Sequence, residues 1–207
     1  MNNLSKLLIV PLFSLLFLSA CSESNQPIEG KQFSRLPTAI TSEFLAPITE
    51  VFSLSCGHCR TMEKFLPDIK QQIDTDIDKL HVTFNNSAKV SALIYYSAVM
   101  QLNAVPDKLF MESLFNAIQE NEGLTLTEQQ AKIEQVFTDN NLISPYKFSD
   151  IQQKALLQML ESANKVTVAA KINAVPTFIV NGKYQVILSG HQNPDDIAKT
   201  ITYLLTK

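Results

Sequence analysis

The sequence has few of the features that define several large classes of protein. It has 17 basic and 20 acidic residues, and its net charge of −3 argues against a nucleic-acid-binding surface. It has three cysteines, Cys21, Cys56 and Cys59, too few for a domain held together by several disulfides. Glycine is scarce, at five residues, and there is no internal repeat or low-complexity segment. The length suits one domain with a sizeable hydrophobic core.

The N-terminal segment lacks a run long enough to cross a membrane as a helix. Lys6 precedes an apolar run, residues 7–18, which Pro11 interrupts and which is shorter than the ~20 apolar residues of a spanning helix. This pattern is typical of a secretory signal peptide. The run ends in Leu18-Ser19-Ala20-Cys21, which resembles the bacterial lipobox, a signal cleaved before a cysteine that carries a thioether-linked diacylglycerol. An ordinary signal peptide with an accidental cysteine is the alternative.

Residues 1–20 are therefore predicted to be a lipoprotein signal peptide, Cys21 a lipid anchor, and residues 21–30 a polar tether. Loss of the signal removes one positive charge, so the net charge becomes −4. Cys56 and Cys59 are then the two cysteines left in the mature domain, and two cysteines suit one disulfide. Export places them in a compartment where disulfides persist, and we expect a periplasmic protein attached to a bacterial membrane.

The most informative motif is Cys56-Gly57-His58-Cys59, which lies between a predicted strand and a predicted helix. Two intervening residues allow the sulfurs to bond to each other, and this arrangement is typical of redox-active pairs. Backbone amides at a helix start favour the thiolate of the first cysteine. A thiolate is the species that attacks disulfides, and a thiol of low pKa is also the better leaving group. The motif therefore predicts thiol–disulfide chemistry.

Hydrophobic patterns predict an α/β fold with helices in the middle of the chain. The predicted strands cover residues 32–36, 48–54, 81–84, 177–180 and 184–188. A helix over residues 60–73 should be kinked by Pro67. Residues 87–171 predict several helices, with Thr127 starting a capping box and Asp150 capping a long helix. Asn181-Gly182 predicts a hairpin, and Asn193-Pro194 the start of the last helix.

The element order, β, β-α-β, helices, β-β-α, is that of a thioredoxin-like fold with an inserted helical domain. We assign residues 31–86 and 172–207 to the thioredoxin-like domain and residues 87–171 to the insertion. Such folds place a cis proline opposite the cysteine pair, and Pro176 stands at that position before the Thr177 strand. A proline at the first residue of a strand is also acceptable in a trans form. A cis bond would leave backbone groups of Val175 free to pair with an extended substrate.

The chain resembles the DsbA-type thiol:disulfide oxidoreductases over nearly all of residues 30–207. The matching segments are residues 30–33, 50–53 with the cysteine motif, 79–84 and 175–184. The resemblance implies that Cys56 is the exposed nucleophile, that Cys59 is the buried resolving thiol, and that a charged His58 stabilises the thiolate. It also implies that Glu50, Glu63 and Lys79 lie near the buried cysteine and could move its proton. Glu63 and Lys79 as solvated surface charges are the alternative; His81 and His191 are assigned no role.

By this resemblance the protein needs no cofactor beyond its own disulfide, oxidises exported proteins, and is reoxidised by a quinone-linked membrane partner. The motif departs from its relatives at two positions. Gly57 stands where the best-known oxidase has proline, which favours a less oxidising couple, and Ser55 stands where thioredoxins have tryptophan, which argues against a reductase. Gly-His is typical of isomerase-type domains, so a reductase or isomerase is the first alternative. No dimerisation domain is recognisable, and a monomer is expected. A metal-binding module using Cys56, His58 and Cys59 is the second alternative, although structural zinc sites use more ligands.

Overall fold

The computed structural model describes residues 26–207. The described chain forms one sheet with the strands β1 (Phe33–Arg35), β2 (Ile48–Phe52), β3 (Asp78–His81), β4 (Thr177–Val180) and β5 (Tyr184–Val186). The α-helices are α1 (Gly57–Met62), α2 (Leu66–Ile73), α3 (Asn86–Leu102), α4 (Lys108–Gln119), α5 (Leu126–Asp139), α6 (Asp150–Ala169) and α7 (Pro194–Leu205). Short 3-10 helices are formed by Pro145–Lys147 and Leu188–Gly190. The predicted element order and the helical middle of the chain are confirmed.

The sheet places β2 in its interior, in the strand order β1-β5-β4-β2-β3. Strand β2 is parallel to β3 and antiparallel to β4, and every residue of β2 is buried. Helices α2 and α7 cover a core on one side of the sheet, while α3 to α6 enclose a second core with the other side. Three residues connect the end of β2 to the cysteine motif, so the motif is held close to the most buried strand of the fold.

The predicted strand over residues 81–84 was wrong in its position, because the strand covers Asp78–His81. Pairing runs from Thr49 opposite Asp78 to Phe52 opposite His81 and ends where β2 ends. The prediction relied on alternating apolar residues, but both faces of this strand are covered, so that Lys79 and His81 are buried as well. Phe84, at the end of the predicted strand, is exposed.

The predicted single helix over residues 60–73 is two helices in the structure. Helix α1 begins at Gly57, and the chain leaves helical pairing between Met62 and Leu66. Pro67 then lies in the first turn of α2, where the missing N–H of proline is harmless. A continuous helix would place the proline ring against the carbonyl group of Glu63, four residues earlier. The proline therefore separates two helices instead of bending one.

Two predicted helix caps were displaced by one or two residues. Thr125, not Thr127, caps α5 and forms the capping box with Glu128. Ser149, not Asp150, caps α6 and forms a capping box with Gln152. In both cases a hydroxyl side chain three residues before a Glu or Gln satisfies the reciprocal bonds of the box. The existence of both helices, in contrast to their first residues, was predicted correctly.

The predicted hairpin and the predicted start of the last helix are confirmed, although the second strand of the hairpin ends at Val186 and not at residue 188. Asn181 and Gly182 have φ angles of +53° and +62°, as the two central residues of a type I′ hairpin require. A side chain at Gly182 would also collide with the carbonyl oxygen of Ile40. The side chain of Asn193 accepts a hydrogen bond from the N–H of Asp196 at 3.0 Å and caps α7.

The signal peptide, the lipobox and the lipid anchor at Cys21 lie outside the described residues. The end of the predicted tether is folded against the domain, since Glu29 forms a bridge with Phe33 and the N–H of Gly30 donates to Phe33 O at 2.7 Å. Among the helices of residues 26–207, none is both long enough and apolar enough to span a membrane.

Candidate active site

The cysteine motif lies at the junction of β2 and α1. After β2 ends, Ser53, Leu54 and Ser55 form a short loop, and Cys56 is the N-cap residue of α1. The N–H of Cys56 donates to Ser53 O at 3.0 Å, which closes the loop before the helix begins. The loop thus directs the first cysteine side chain toward the unpaired N–H groups of the first helical turn.

Cys56 is a half-buried thiol whose sulfur receives hydrogen bonds. Its Sγ atom accepts from the N–H of Cys59 at 3.3 Å. These surroundings lower the pKa of Cys56 to about 6: the Cys59 side chain contributes most, followed by the backbone groups of Cys59 and His58, while burial opposes the shift. Charge on the His58 ring has the smallest effect, and the ring is exposed. At neutral pH, Cys56 is therefore mostly a thiolate.

Cys59 has the opposite environment. It is fully buried, and its thiol donates to Cys56, so its pKa is raised well above that of an ordinary thiol by this hydrogen bond and by burial. Neither cysteine is in a disulfide in this structure. The pair is thus arranged as one thiolate and one thiol that share a proton across the first turn of α1.

The predicted proline lies beside the first cysteine. The Val175–Pro176 peptide bond is cis, as predicted, and both residues are partly exposed. The Cys56 Sγ atom lies 3.6 Å from the carbonyl oxygen of Val175, to which it can donate a hydrogen bond when it is protonated. The backbone of Val175 is therefore next to the more accessible of the two cysteine sulfurs.

Glu50, Lys79 and Glu63 form one buried ionic cluster. Lys79 is paired with Glu50 across the β2–β3 register, and Lys79 Nζ donates to Glu50 and, at 2.6 Å, to Glu63. The Lys79 side chain is 5% exposed, that of Glu63 11% and that of Glu50 0%, so the solvated alternative for Glu63 and Lys79 was wrong. A cleft of about 330 Å³, lined in part by Glu63 and Lys79, connects the cluster with solvent.

Burial shifts the titration of this cluster. It raises the pKa of Glu50 to about 7, although Lys79 acts in the other direction, and no group within residues 26–207 forms a hydrogen bond with Glu50 Oε1. For Lys79, burial by itself would lower the pKa, yet the two carboxylates raise it above its usual value. Negative charge on Glu50 also raises the pKa of Cys59, which couples the cluster to the buried thiol. Glu50 can therefore exchange a proton near neutral pH in the interior of the protein.

Two residues that the sequence did not single out also contact the active-site loop. His81 Nε2 accepts from the N–H of Leu54 at 2.8 Å, and Gln119 Nε2 donates to Leu54 O at 2.7 Å. No motif marks either residue, because both contacts join distant parts of the chain. His191 lies elsewhere, where its ring nitrogens are 2.9 Å from Ile187 O and 2.8 Å from the Thr200 hydroxyl.

Within residues 26–207, no group of three or more His, Cys, Asp or Glu side chains is arranged to hold a metal ion. The two sulfurs carry the chemistry that the geometry offers. A dithiol and its disulfide differ by two electrons and two protons, and the sulfurs themselves store the electrons.

Comparisons with known proteins agree with this geometry. A family model described as Thioredoxin matches residues 45–202. The thiol:disulfide interchange protein DsbA of Buchnera aphidicola is 29% identical over 188 residues, which cover 87% of this chain and 86% of that protein. DsbA of Pseudomonas aeruginosa is 24% identical over 213 residues, covering 100% of this chain and 97% of that protein. A structure of Proteus mirabilis DsbA with a non-covalently bound peptide has a TM-score of 0.62 at 18% identity, covering 88% of this chain and 100% of that one, and establishes the shared fold.

Proposed function

Because the chain belongs to the thioredoxin family and is a thiol:disulfide oxidoreductase of the DsbA type, we propose that it donates a Cys56–Cys59 disulfide to reduced exported proteins. A substrate thiolate attacks Cys56 and forms a mixed disulfide, while Cys59 leaves and takes up a proton. A second substrate thiolate then attacks the substrate sulfur of that mixed disulfide, and Cys56 leaves as a thiolate. The substrate loses two electrons, the cysteine pair gains them, and no bound cofactor is needed.

The low pKa of Cys56 is the observation that carries this direction. A thiolate held at pKa about 6 stabilises the dithiol form of the protein, and a stable dithiol form makes the disulfide a stronger oxidant. Cys56 is also the more accessible of the two sulfurs, since Cys59 is fully buried. Both properties assign attack by the substrate to Cys56. Cys59 is then the thiol that leaves in the forward exchange and that resolves a mixed disulfide at Cys56 in the reverse exchange.

The buried cluster supports a role in proton transfer to Cys59. The leaving sulfur of Cys59 needs a proton, because burial strongly disfavours its thiolate. Glu50 has a pKa of about 7 and is coupled to Lys79 and Glu63, which line the cleft to solvent. We assign the three residues to a relay between this cleft and the buried thiol.

Substrate binding is assigned to Val175 and Pro176. The Val175 carbonyl lies next to Cys56 Sγ in a partly exposed segment that precedes β4. An extended peptide there can pair with the backbone while its cysteine reaches Cys56. The peptide bound to Proteus mirabilis DsbA supports a peptide ligand for a protein of this fold.

The proposed location is the periplasm, where the protein acts as a monomer anchored to a membrane through lipid on Cys21. A quinone-linked membrane protein would accept the two electrons and restore the disulfide. Cys21→Ser should release the protein from membranes and leave its exchange with a soluble peptide within about twofold of the parent, because the cysteine pair is remote in sequence. Mass spectrometry of the mature N-terminus checks the anchor, and an unacylated N-terminus would contradict it.

A comparison of the oxidised and reduced protein tests the direction of function. We expect the dithiol form to unfold at higher denaturant concentration than the disulfide form. The free energies of unfolding should differ by about 1.4 kcal/mol for every 30 mV by which the couple is more oxidising than an unstructured dithiol. A disulfide form that is clearly the more stable would establish the reductase alternative. Gly57 favours a smaller difference between the two forms than in a strong oxidase. A redox titration against glutathione measures the reduction potential of the cysteine pair directly.

A further inference from the structure

Leu54 is the one residue of the active-site loop whose two backbone polar groups are both held by distant side chains. It is fully buried, two residues before Cys56. Its N–H donates to His81, at the end of β3, and its carbonyl group accepts from Gln119, the last residue of α4. Strand β3 therefore binds the N–H of Leu54, and helix α4 of the insertion binds its carbonyl group.

His81 is held in the one tautomer that can accept this bond. Its Nδ1 atom lies 2.7 Å from Val82 O, so Nδ1 carries the proton and Nε2 is the acceptor. The ring packs against Phe52 and Tyr95, with centroid distances of 4.9 Å and 5.8 Å. Burial lowers the pKa of His81 to about 3, so the ring stays neutral and keeps its acceptor in any physiological buffer.

Gln119 belongs to a helix that contacts the motif on both sides. On the other side of the cysteines, Arg60 of α1 donates to Glu112 at 3.1 Å and to Glu120, just after α4, at 2.9 Å. Gln119 contacts the loop before Cys56, whereas this ionic network contacts the helix after it. Helix α4 is thus a fixed support against which the cysteine pair is placed.

We propose that His81 and Gln119 are positioning residues, which hold the backbone of Leu54 and thereby fix the direction of the Cys56 sulfur. The proposal deepens the function given above and depends on Cys56 as the attacked sulfur. A displaced Leu54 would move Ser53 O, which binds the N–H of Cys56, and with it the 3.3 Å contact between Cys56 Sγ and the N–H of Cys59. Fewer aligned donors leave a less stable thiolate, and exchange through Cys56 becomes slower.

Two substitutions of His81 separate positioning from packing. In His81→Gln the side-chain oxygen can reach the position of Nε2 and accept from Leu54. In His81→Asn the side-chain nitrogen replaces Nδ1, and nothing reaches Leu54. Both lose the ring, so both should lower the melting temperature by similar amounts. The rate of alkylation of the reduced protein by iodoacetamide, measured against pH, gives the pKa of Cys56. We expect His81→Asn to raise it by about half a unit or more, and His81→Gln to leave it near the parent value.

Gln119→Leu should shift the pKa of Cys56 upward as His81→Asn does. Gln101→Leu is the matched control, because Gln101 also donates to backbone carbonyls, those of Ser97 and Ile143, away from the cysteines. The control should lower stability without changing the pKa of Cys56. Equal shifts in His81→Asn and His81→Gln, no shift in either, or a shift in Gln101→Leu as large as in Gln119→Leu would each overturn the proposal. The stability of the parent's two redox forms decides the direction of function separately, since the positioning role depends only on differences between variants.

Discussion

Cys56 and Cys59 are separated by two residues, but their sulfurs lie in two different environments. Cys56 is at the open start of α1, where hydrogen bonds reach its sulfur and solvent has access. Cys59 is one turn further into the helix, fully enclosed by the core, above a strand that carries buried charges. The same side chain therefore has a pKa of about 6 in one position and a strongly raised pKa in the other.

The difference shows what the fold contributes to a reaction that sulfur can perform without a protein. Hydrogen bonds to Cys56 lower the pKa at the accessible sulfur, whereas the hydrogen bond between Cys59 and Cys56, together with burial, raises it at the inaccessible one. A substrate then meets one preferred sulfur, and the other needs an internal proton donor. Cys56 with its hydrogen-bond donors forms the accessible side of the site, and Cys59 with the Glu50 cluster forms the buried side. A substitution on the accessible side should change the reactivity of Cys56, and one on the buried side should change the step in which Cys59 gains or loses its proton.

Replacing each cysteine by serine in turn should have the largest effect on disulfide transfer. Cys56→Ser should abolish disulfide transfer, because the attacked sulfur is absent. In Cys59→Ser the Cys56 thiolate should instead attack a disulfide-bonded peptide, displace one of its cysteines as a thiolate and stay in a mixed disulfide with the other, because no neighbouring thiol resolves it. Non-reducing electrophoresis and mass spectrometry detect the adduct, and the double variant, which should form none, is the control. If Cys59→Ser releases peptide as fast as the parent, the two roles are assigned wrongly.

Glu50→Gln should affect the buried side alone. The substitution removes the group that titrates near pH 7 but keeps its shape, so the step in which Cys59 gains or loses its proton should slow by about 10²-fold. The initial alkylation rate of Cys56 should change far less. Stopped-flow measurement of mixed-disulfide resolution separates the two steps. Glu161→Gln, in the exposed pair with Lys165, is the control, and equal rates in the two variants would exclude Glu50 from the relay.

The contributions of Cys56 and Glu50 to the free energy of unfolding should depend on pH in opposite directions. The folded pKa of Cys56 is depressed from an ordinary value of 9.0 to about 6, so its contribution is fully present above the unfolded pKa and is lost as pH falls through 6. Glu50 has the opposite sign: its raised pKa contributes stability at acid pH that is lost as pH rises through about 7. Subtracting the unfolding free energy of Cys56→Ser from that of the reduced parent isolates the first contribution. We expect the difference to grow between pH 6 and 9 by on the order of 2 kcal/mol, reduced from the full shift because the thiol is partly solvated.

The accessible side was largely predictable from sequence, because its parts depend on local patterns. The cysteine spacing, the proline before β4 and the Asn181-Gly182 turn each depend on neighbouring residues, and the structure places each element where it was expected. The exact caps of α5 and α6 were missed, since two acceptable cap residues stood within one or two positions of each other.

The buried side was not predictable to the same degree, because tertiary pairing creates it. Lys79 and Glu63 are residue types that are mostly exposed, and the family resemblance was the one indication that they lie with Glu50 near the buried cysteine. In the structure the β2–β3 register and the break after α1 bring them to Glu50. His81 lies in a strand covered on both faces, where alternation of apolar residues conveys no direction. Its bond to Leu54 spans 27 positions and leaves no pattern in the sequence.

The smallest effect should come from His58, for which the family resemblance implied that its charge further stabilises the thiolate. Its ring is exposed, and its charge is the least of the causes that lower the pKa of Cys56, whereas its backbone N–H contributes more and is kept in any substitution other than proline. His58→Gln should therefore raise the pKa of Cys56 by about half a unit and leave resolution by Cys59 unchanged. The effect should shrink further in high salt, because an exposed charge is screened. Alkylation against pH at low and high salt measures both changes. A shift of several units, insensitive to salt, would mean that the ring and not the helix start sets the accessible side apart from the buried one.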